Sequence, residues 1–266
     1  MTTYKLIALD LDGTLLTSAL KLSDTNAEAL RRAIDRGVQV VFATSRWFGL
    51  AQRTADRLGM DTPLICSNGA LVKRPSNGEE LLHLYLDRDL AHQVTSLGDD
   101  RGWEMFTTIE DATYMRMRPG VIPEMLPAGL RVAERQSDHV ADGRPTCVLV
   151  FGNDAVTEIS DRFLPDLNAR AAVSINRPAV LPHYAVLTHP DAEKARALDL
   201  VSRGLGVAPD ETLAMGDSES DLAMIRWAGL GIAMDNAPDE VKRAALHIAP
   251  SNDADGVAWA IERFAL

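Results

Sequence analysis

The stretch YKLIALDLDGTLL, residues 4–16, ends an apolar run on two carboxylates, Asp10 and Asp12, one residue apart. Like charges this close raise each other's cost of ionisation, so a proton or a cation has to make the pair tolerable. Three further apolar runs end on small polar or acidic residues. VVFA is followed by Thr44, Ser45 and Arg46, PLIC by Ser67, Asn68 and Gly69, and TLAM by Gly216, Asp217 and then Asp221. Carboxylates gathered from separate runs suit Mg2+, a hard cation that takes few protein oxygens and shares its remaining coordination with a phosphate. These residues therefore predict chemistry on a phosphate ester.

For such residues to meet, the runs must be neighbouring strands of an open parallel sheet, whose ligands bind beyond the carboxyl ends of the strands. The pattern predicts strands at 6–9, 38–43 and 63–66, with a helix from the Ser23 N-cap to near Gly37 and another over 47–58. It resumes with a helix over 192–204, a strand at 212–215, a helix over 219–227 and a strand at 229–234. A helix from Pro238, a strand at 247–249 and a helix from Asp255 complete it. The strands are short continuous apolar runs, as burial on both faces requires.

Between about residues 84 and 187 the texture changes: strand-like pieces at 103–106, 113–118, 146–151 and 172–176 mix with helical stretches and loops rich in Pro, Gly and Asp. The expected architecture is α/β, a Rossmann-like doubly wound parallel sheet core built from residues 1–83 and 188–266, with an inserted α+β cap domain over 84–187. Methionines 105, 115 and 117 are read as core packing or an apolar cap surface.

The 266 residues carry 27 basic and 38 acidic side chains, a net charge of −11, which argues against nucleic acid or an anionic membrane as the main partner. An anionic substrate would have to be held by a local cation. Cys66 and Cys147 show no metal-ligand spacing and read as reduced, buried thiols. With no leader segment and no apolar run of membrane-spanning length, the expected location is cytoplasmic. The six histidines fall in no metal-binding pattern and receive no ligand role.

The ordered set DLDGTLL (10–16), ATSR (43–46), Lys194 and GDSESDLAM (216–224) resembles the haloacid dehalogenase superfamily of aspartate-nucleophile phosphatases. SNGA (67–70), GIAMDNA (231–237) and SNDADGVA (251–258) resemble its Cof-type sugar-phosphate branch. The resemblance implies a phosphoric monoester hydrolase in which Asp10 is the nucleophile and Asp12 the general acid and base. Thr44 and Lys194 would stabilise the phosphoryl group, and Mg2+ would be bound by Asp10, the Asp12 carbonyl, Asp217 and Asp221. Gly13, Ser45, Arg46, Asn68, Gly69 and Asn236 are the further candidates for phosphate or substrate contact, Arg46 being equally readable as a partner for a carboxylate. One departure is Ser220, where the family usually carries Asn. The implied partner is a small phosphorylated metabolite, and the protein is expected as a monomer or small homo-oligomer. Two rival readings are a phosphosugar mutase of the same superfamily and a non-catalytic phosphometabolite-binding protein.

Overall fold

The computed structural model describes residues 4–110, 112–117, 126–127, 129–167, 169–176 and 182–266. The chain divides into two compact units, one of Met1–Arg46, Ala51–Leu81 and Glu193–Leu266, the other of Trp47–Leu50 and Leu82–Ala192. No helix among the described residues is long and apolar enough to cross a membrane.

Chain order runs β1 (Leu6–Leu9), α1 (Asp24–Asp35), β2 (Gln39–Phe42), α2 (Phe48–Leu58), β3 (Leu64–Cys66), β4 (Leu71–Lys73) and β5 (Glu80–His83), all in the first unit except the first three residues of α2 and the last two of β5. Five strands form an all-parallel sheet once the C-terminal β12 (Thr212–Gly216), β13 (Leu230–Met234) and β14 (His247–Ala249) are added, in the order β14-β13-β12-β1-β2. Every residue of β1 and of β13 is buried, which is why these segments read as unbroken apolar runs. The order reverses at β1, which pairs with β2 on one side and β12 on the other. That is the switch point where an open α/β sheet leaves a crevice at its carboxyl edge. Ser23 caps α1 by accepting from the Asn26 amide, as its residue type predicts.

The strand at 63–66 does not join the parallel sheet in full. β3 pairs antiparallel with β4 in a separate three-stranded sheet, β3-β4-β5, and among the described residues meets the parallel sheet through the bridge Ala43–Ile65, which is parallel, so β3 runs in the direction expected. The apolar run announced burial, which is correct for all three residues, but burial says nothing about the antiparallel partner that β3 gains in β4.

The second unit follows with α3 (Arg88–Arg101), β6 (Glu104–Ile109), β7 (Ala112–Arg116), β8 (Leu130–Ala133), α4 (Gln136–Asp142), β9 (Pro145–Phe151), α5 (Asn153–Phe163), β10 (Ala172–Asn176) and β11 (Tyr184–Thr188). Its six strands run β10-β11-β9-β6-β7-β8, antiparallel except for β7 with β8. Alternate residues Met105, Val148, Val150, Ala185 and Leu187 share a core with Leu90, Val94, Val140 and Ile159 from its helices. The opposite register places Phe106, Phe151 and Tyr184 in a row of touching rings, half-buried, and Trp47 stacks on Phe106. Met105 and Met115 are buried whereas Met117 is exposed. Of the run expected at 113–118, Arg118 lies outside the described residues. Strands β8 and β11 were not anticipated, although turn residues flank both: Pro127 and Gly129 precede β8, and Pro182 and Pro190 bracket β11.

The remaining elements of the first unit are α6 (Lys194–Leu205), α7 (Leu222–Trp227), α8 (Asp239–Ala244) and α9 (Gly256–Phe264). The helix expected over 219–227 starts with a separate 3-10 turn at Glu219–Asp221, since the Asp221 side chain folds back onto the Asp217 and Ser218 amides. Both cysteines are free and buried, and burial pushes the Cys66 thiol up, which leaves it inert.

Candidate active site

The Asp10 amide donates to the Met215 carbonyl at 3.1 Å, so the ends of β1 and β12 lie side by side and Asp10 and Asp217 leave the sheet together. Lys194 opens α6, the end of a helix where the peptide dipole disfavours a cation. It is nonetheless 2 % exposed, and its Nζ donates to Asp10 Oδ1 and to Asp221 Oδ1, each at 2.7 Å. Burial alone would lower the Lys194 pKa, but the charges of Asp10 and Asp221 outweigh it and hold the ammonium above its ordinary value. This lysine is a fixed cation.

Asp10, Asp217 and Asp221 each present a carboxylate oxygen, all within 4.8 Å of one another. One ammonium does not neutralise three carboxylates. Burial first, then the charges of Asp221 and Asp12, push Asp10 up to about 7 against the pull of Lys194. Asp217 is likewise raised well above the usual carboxylate range, by burial and then by Asp10 and Asp221. Groups so disfavoured as anions are stabilised by a divalent cation, and the all-oxygen donor set suits Mg2+. The residues therefore fit the metal that the sequence implies.

The three are not equivalent. Asp221 Oδ2 accepts from the Asp217 amide at 3.2 Å, the Ser218 amide at 3.0 Å and Ser218 Oγ at 2.9 Å, while Oδ1 takes Lys194. Both of its oxygens are already engaged. Asp217 Oδ1 accepts only from Thr14 Oγ1, at 2.9 Å, and Asp10 only from Lys194 among the described residues. The free coordinating capacity lies on Asp10 and Asp217. Gly13 is obligatory beside them: its φ is +82°, and a Cβ there would come within 2.3 Å of Asp217 Oδ2.

Asp12 points elsewhere. Arg46 holds it in a two-pronged grip, Nε on Oδ2 at 2.6 Å and Nη2 on Oδ1 at 2.5 Å. Of the two readings of Arg46, the described geometry is the carboxylate partner.

A family model for haloacid dehalogenase-like hydrolases matches residues 7–261. This chain belongs to that family. It is 33% identical over 263 residues, covering 98% of this chain and 96% of the relative, to a protein of Bacillus subtilis named 5-amino-6-(5-phospho-D-ribitylamino)uracil phosphatase. A putative phosphatase of the same organism is 30% identical, with 99% of each chain covered. Among solved structures, a haloacid dehalogenase-like hydrolase from Bacteroides thetaiotaomicron superposes with a TM-score of 0.82 at 27% identity, over 98% of this chain and 99% of that one.

In this hydrolase the other residues singled out by sequence divide into two groups. Thr44 is fully buried at the end of β2, where its Oγ1 accepts from the Arg46 amide at 3.2 Å and its carbonyl accepts from the Asn68 amide at 3.0 Å. Ser45 lies between them, half-buried. Asn68 adopts φ +54° and its buried Oδ1 has no hydrogen-bond partner among the described residues. Gly69 acts through the backbone instead. A Cβ there would meet the Glu193 carbonyl at 2.5 Å, so its absence lets the 67–69 turn close onto the start of α6 and fix Lys194. Asn236 is also otherwise employed, with Nδ2 donating to the Gly13 carbonyl at 2.8 Å. Ser220 Oγ meets Ser218 Oγ at 2.8 Å and so supports the Asp221 turn. Sequence reasoning missed Thr14. Its place two residues after Asp12 was visible, but its partner lies 203 residues away.

Proposed function

We propose that this haloacid dehalogenase-type phosphatase is Mg2+-dependent and hydrolyses small phosphorylated metabolites, sugar phosphates foremost, through an aspartyl-phosphate on Asp10. The observation that carries the reading is the buried Asp10 paired with Lys194 and set against the partly unsatisfied Asp217. Asp10 attacks phosphorus with the oxygen that Lys194 does not hold, and the bond from phosphorus to the ester oxygen breaks. Lys194 keeps Asp10 oriented and offsets charge on the phosphoryl group. Asp12 protonates the departing oxygen, which requires Arg46 to release its grip on the Asp12 carboxylate. Asp12 then takes a proton from the water that opens the aspartyl-phosphate, freeing inorganic phosphate and restoring Asp10. Asp10, Asp217, Asp221 and the Asp12 carbonyl would hold Mg2+, which would supply positive charge to keep Asp10 ionised and offset that of the phosphoryl oxygens. The relative named for a phosphorylated ribityl chain supports a polyol or sugar phosphate as substrate.

A panel of sugar phosphates, nucleotides and cofactor phosphates assayed for released inorganic phosphate tests the reading. We expect release with Mg2+ and none in EDTA. Transfer to a second sugar hydroxyl without free phosphate would favour a mutase, and inertness toward the whole panel would favour a binding protein.

A further inference from the structure

Downstream of Asp12 the chain leaves the sheet as an irregular loop, and three of its carbonyls are each taken by an asparagine side chain. Asn236 Nδ2 donates to Gly13 O at 2.8 Å, Asn26 Nδ2 to Leu15 O at 3.4 Å and Asn252 Nδ2 to Leu16 O at 2.9 Å. The asparagines are themselves held from the C-terminal end of the chain. Asn236 Oδ1 accepts from the Asn252 amide at 3.0 Å, and Asn26 Oδ1 from the Ala258 amide at 2.9 Å. The same segment anchors the loop further on: Asp253 accepts from the Ser18 amide at 2.8 Å and its hydroxyl at 2.6 Å, and Asp255 from Ser23 Oγ at 2.6 Å. Asn26 and Asn252 are buried, so their amides are committed to these bonds.

The peptide that Asn236 grips is the one joining Gly13 to Thr14. Gly13 lies directly against the Asp217 carboxylate, and Thr14 Oγ1 donates to Asp217 Oδ1 at 2.9 Å. The geometry points to Asn236, braced by Asn252, as a positioning residue for the metal: it sets the Gly13–Thr14 peptide and, through Thr14, aims the free oxygen of Asp217 at the cation. This inference rests on the proposed Mg2+ site and extends it to a residue 223 positions along the chain from Gly13. A hydrogen-bonded support of a ligating carboxylate changes metal affinity by about 10- to 100-fold when lost.

The test is calorimetric titration of Mg2+ into the native protein, Asn236→Ala and Asn236→Asp, with melting temperatures taken in EDTA. Asn236→Asp keeps the acceptor for the Asn252 amide but loses the donor to Gly13. Its added negative charge would by itself tighten cation binding, so weaker binding reports the lost donor. We expect both variants to bind Mg2+ about 10-fold more weakly, with melting in EDTA little changed because Asn236 is exposed. Adding Asn236→Ala to Thr14→Val should then weaken binding no further than Thr14→Val alone. Native-like or tighter binding by Asn236→Asp overturns the inference, as does an additive double variant. A lowered melting temperature with unchanged Mg2+ affinity also overturns it, since the clamp would then serve only the fold. If the native protein binds no Mg2+, the proposed metal site fails and the inference with it.

Discussion

Asp221 in the first unit and Asp99 in the second are both buried carboxylates, and each accepts from two consecutive backbone amides and one serine hydroxyl. For Asp99 these are the Gln136 amide at 3.1 Å, the Ser137 amide at 2.9 Å and Ser137 Oγ at 2.7 Å. For Asp221 they are the Asp217 and Ser218 amides and Ser218 Oγ. The local device is the same, a carboxylate receiving the first amides of a turn or helix. What surrounds it is not. Asp99 meets neutral donors that satisfy it, and it joins α3 to the start of α4. Asp221 adds a buried lysine, which brings in Asp10, with Asp217 close by. Burial of a carboxylate therefore does not mark chemistry. An excess of negative charge over the donors at hand does, because only that excess calls for a cation or a reacting phosphorus.

The comparison is most directly tested at Asp10. Asp10→Asn should lower turnover on the order of 10^4-fold or more, while thermal melting shows an intact fold, since removing one of several like charges relieves repulsion. An active variant would remove Asp10 from the mechanism. Lys194→Met comes next. It leaves Asp10 and Asp221 buried without their counter-ion, and urea unfolding should show a loss of about 3–5 kcal/mol along with activity. Metal should recover part of that stability if the carboxylates form its site.

In the second unit, Asp99→Ala leaves the first amides of α4 unpaired and should cost about 1–3 kcal/mol without altering Mg2+ affinity. A changed affinity would break the contrast drawn between the two carboxylates. The smallest effect is expected at Asp87, the N-cap of α3, whose pKa is lowered from 3.8 by Arg170 and then by the Leu90 amide. A carboxylate with a depressed folded pKa stabilises the protein above its unfolded value, and that contribution disappears as pH falls through the folded one. Asp87→Asn should therefore melt slightly lower than the native protein near neutrality and match it at pH well below 3.8.

Much of the first unit could be read in advance because its signals are local. Leu6–Leu9 is bounded by its own apolar run, Ser23 announces α1 by its residue type, and Asp10, Asp12 and Asp217 each directly follow or adjoin the end of a strand. The second unit was less legible. Leu130–Ala133 and Tyr184–Thr188 become strands by pairing with partners elsewhere in the unit, and the mixed texture of this stretch did not show which of its apolar pieces would pair. The pairing of β3 with β4 was hidden for the same reason.

Residue type and spacing along the chain determined which groups can attack, donate a proton or bind a hard cation, because those properties belong to the side chain and its immediate neighbours. Which of them act together was decided only by the tertiary structure. It spent Asp221 on its own turn and on Lys194, joined Arg46 to Asp12, and turned Asn236 toward a backbone carbonyl. Hydrogen bonds saturate within about 3 Å, so a group's role depends on which partner the fold brings inside that distance, and no pattern local to the residue records it.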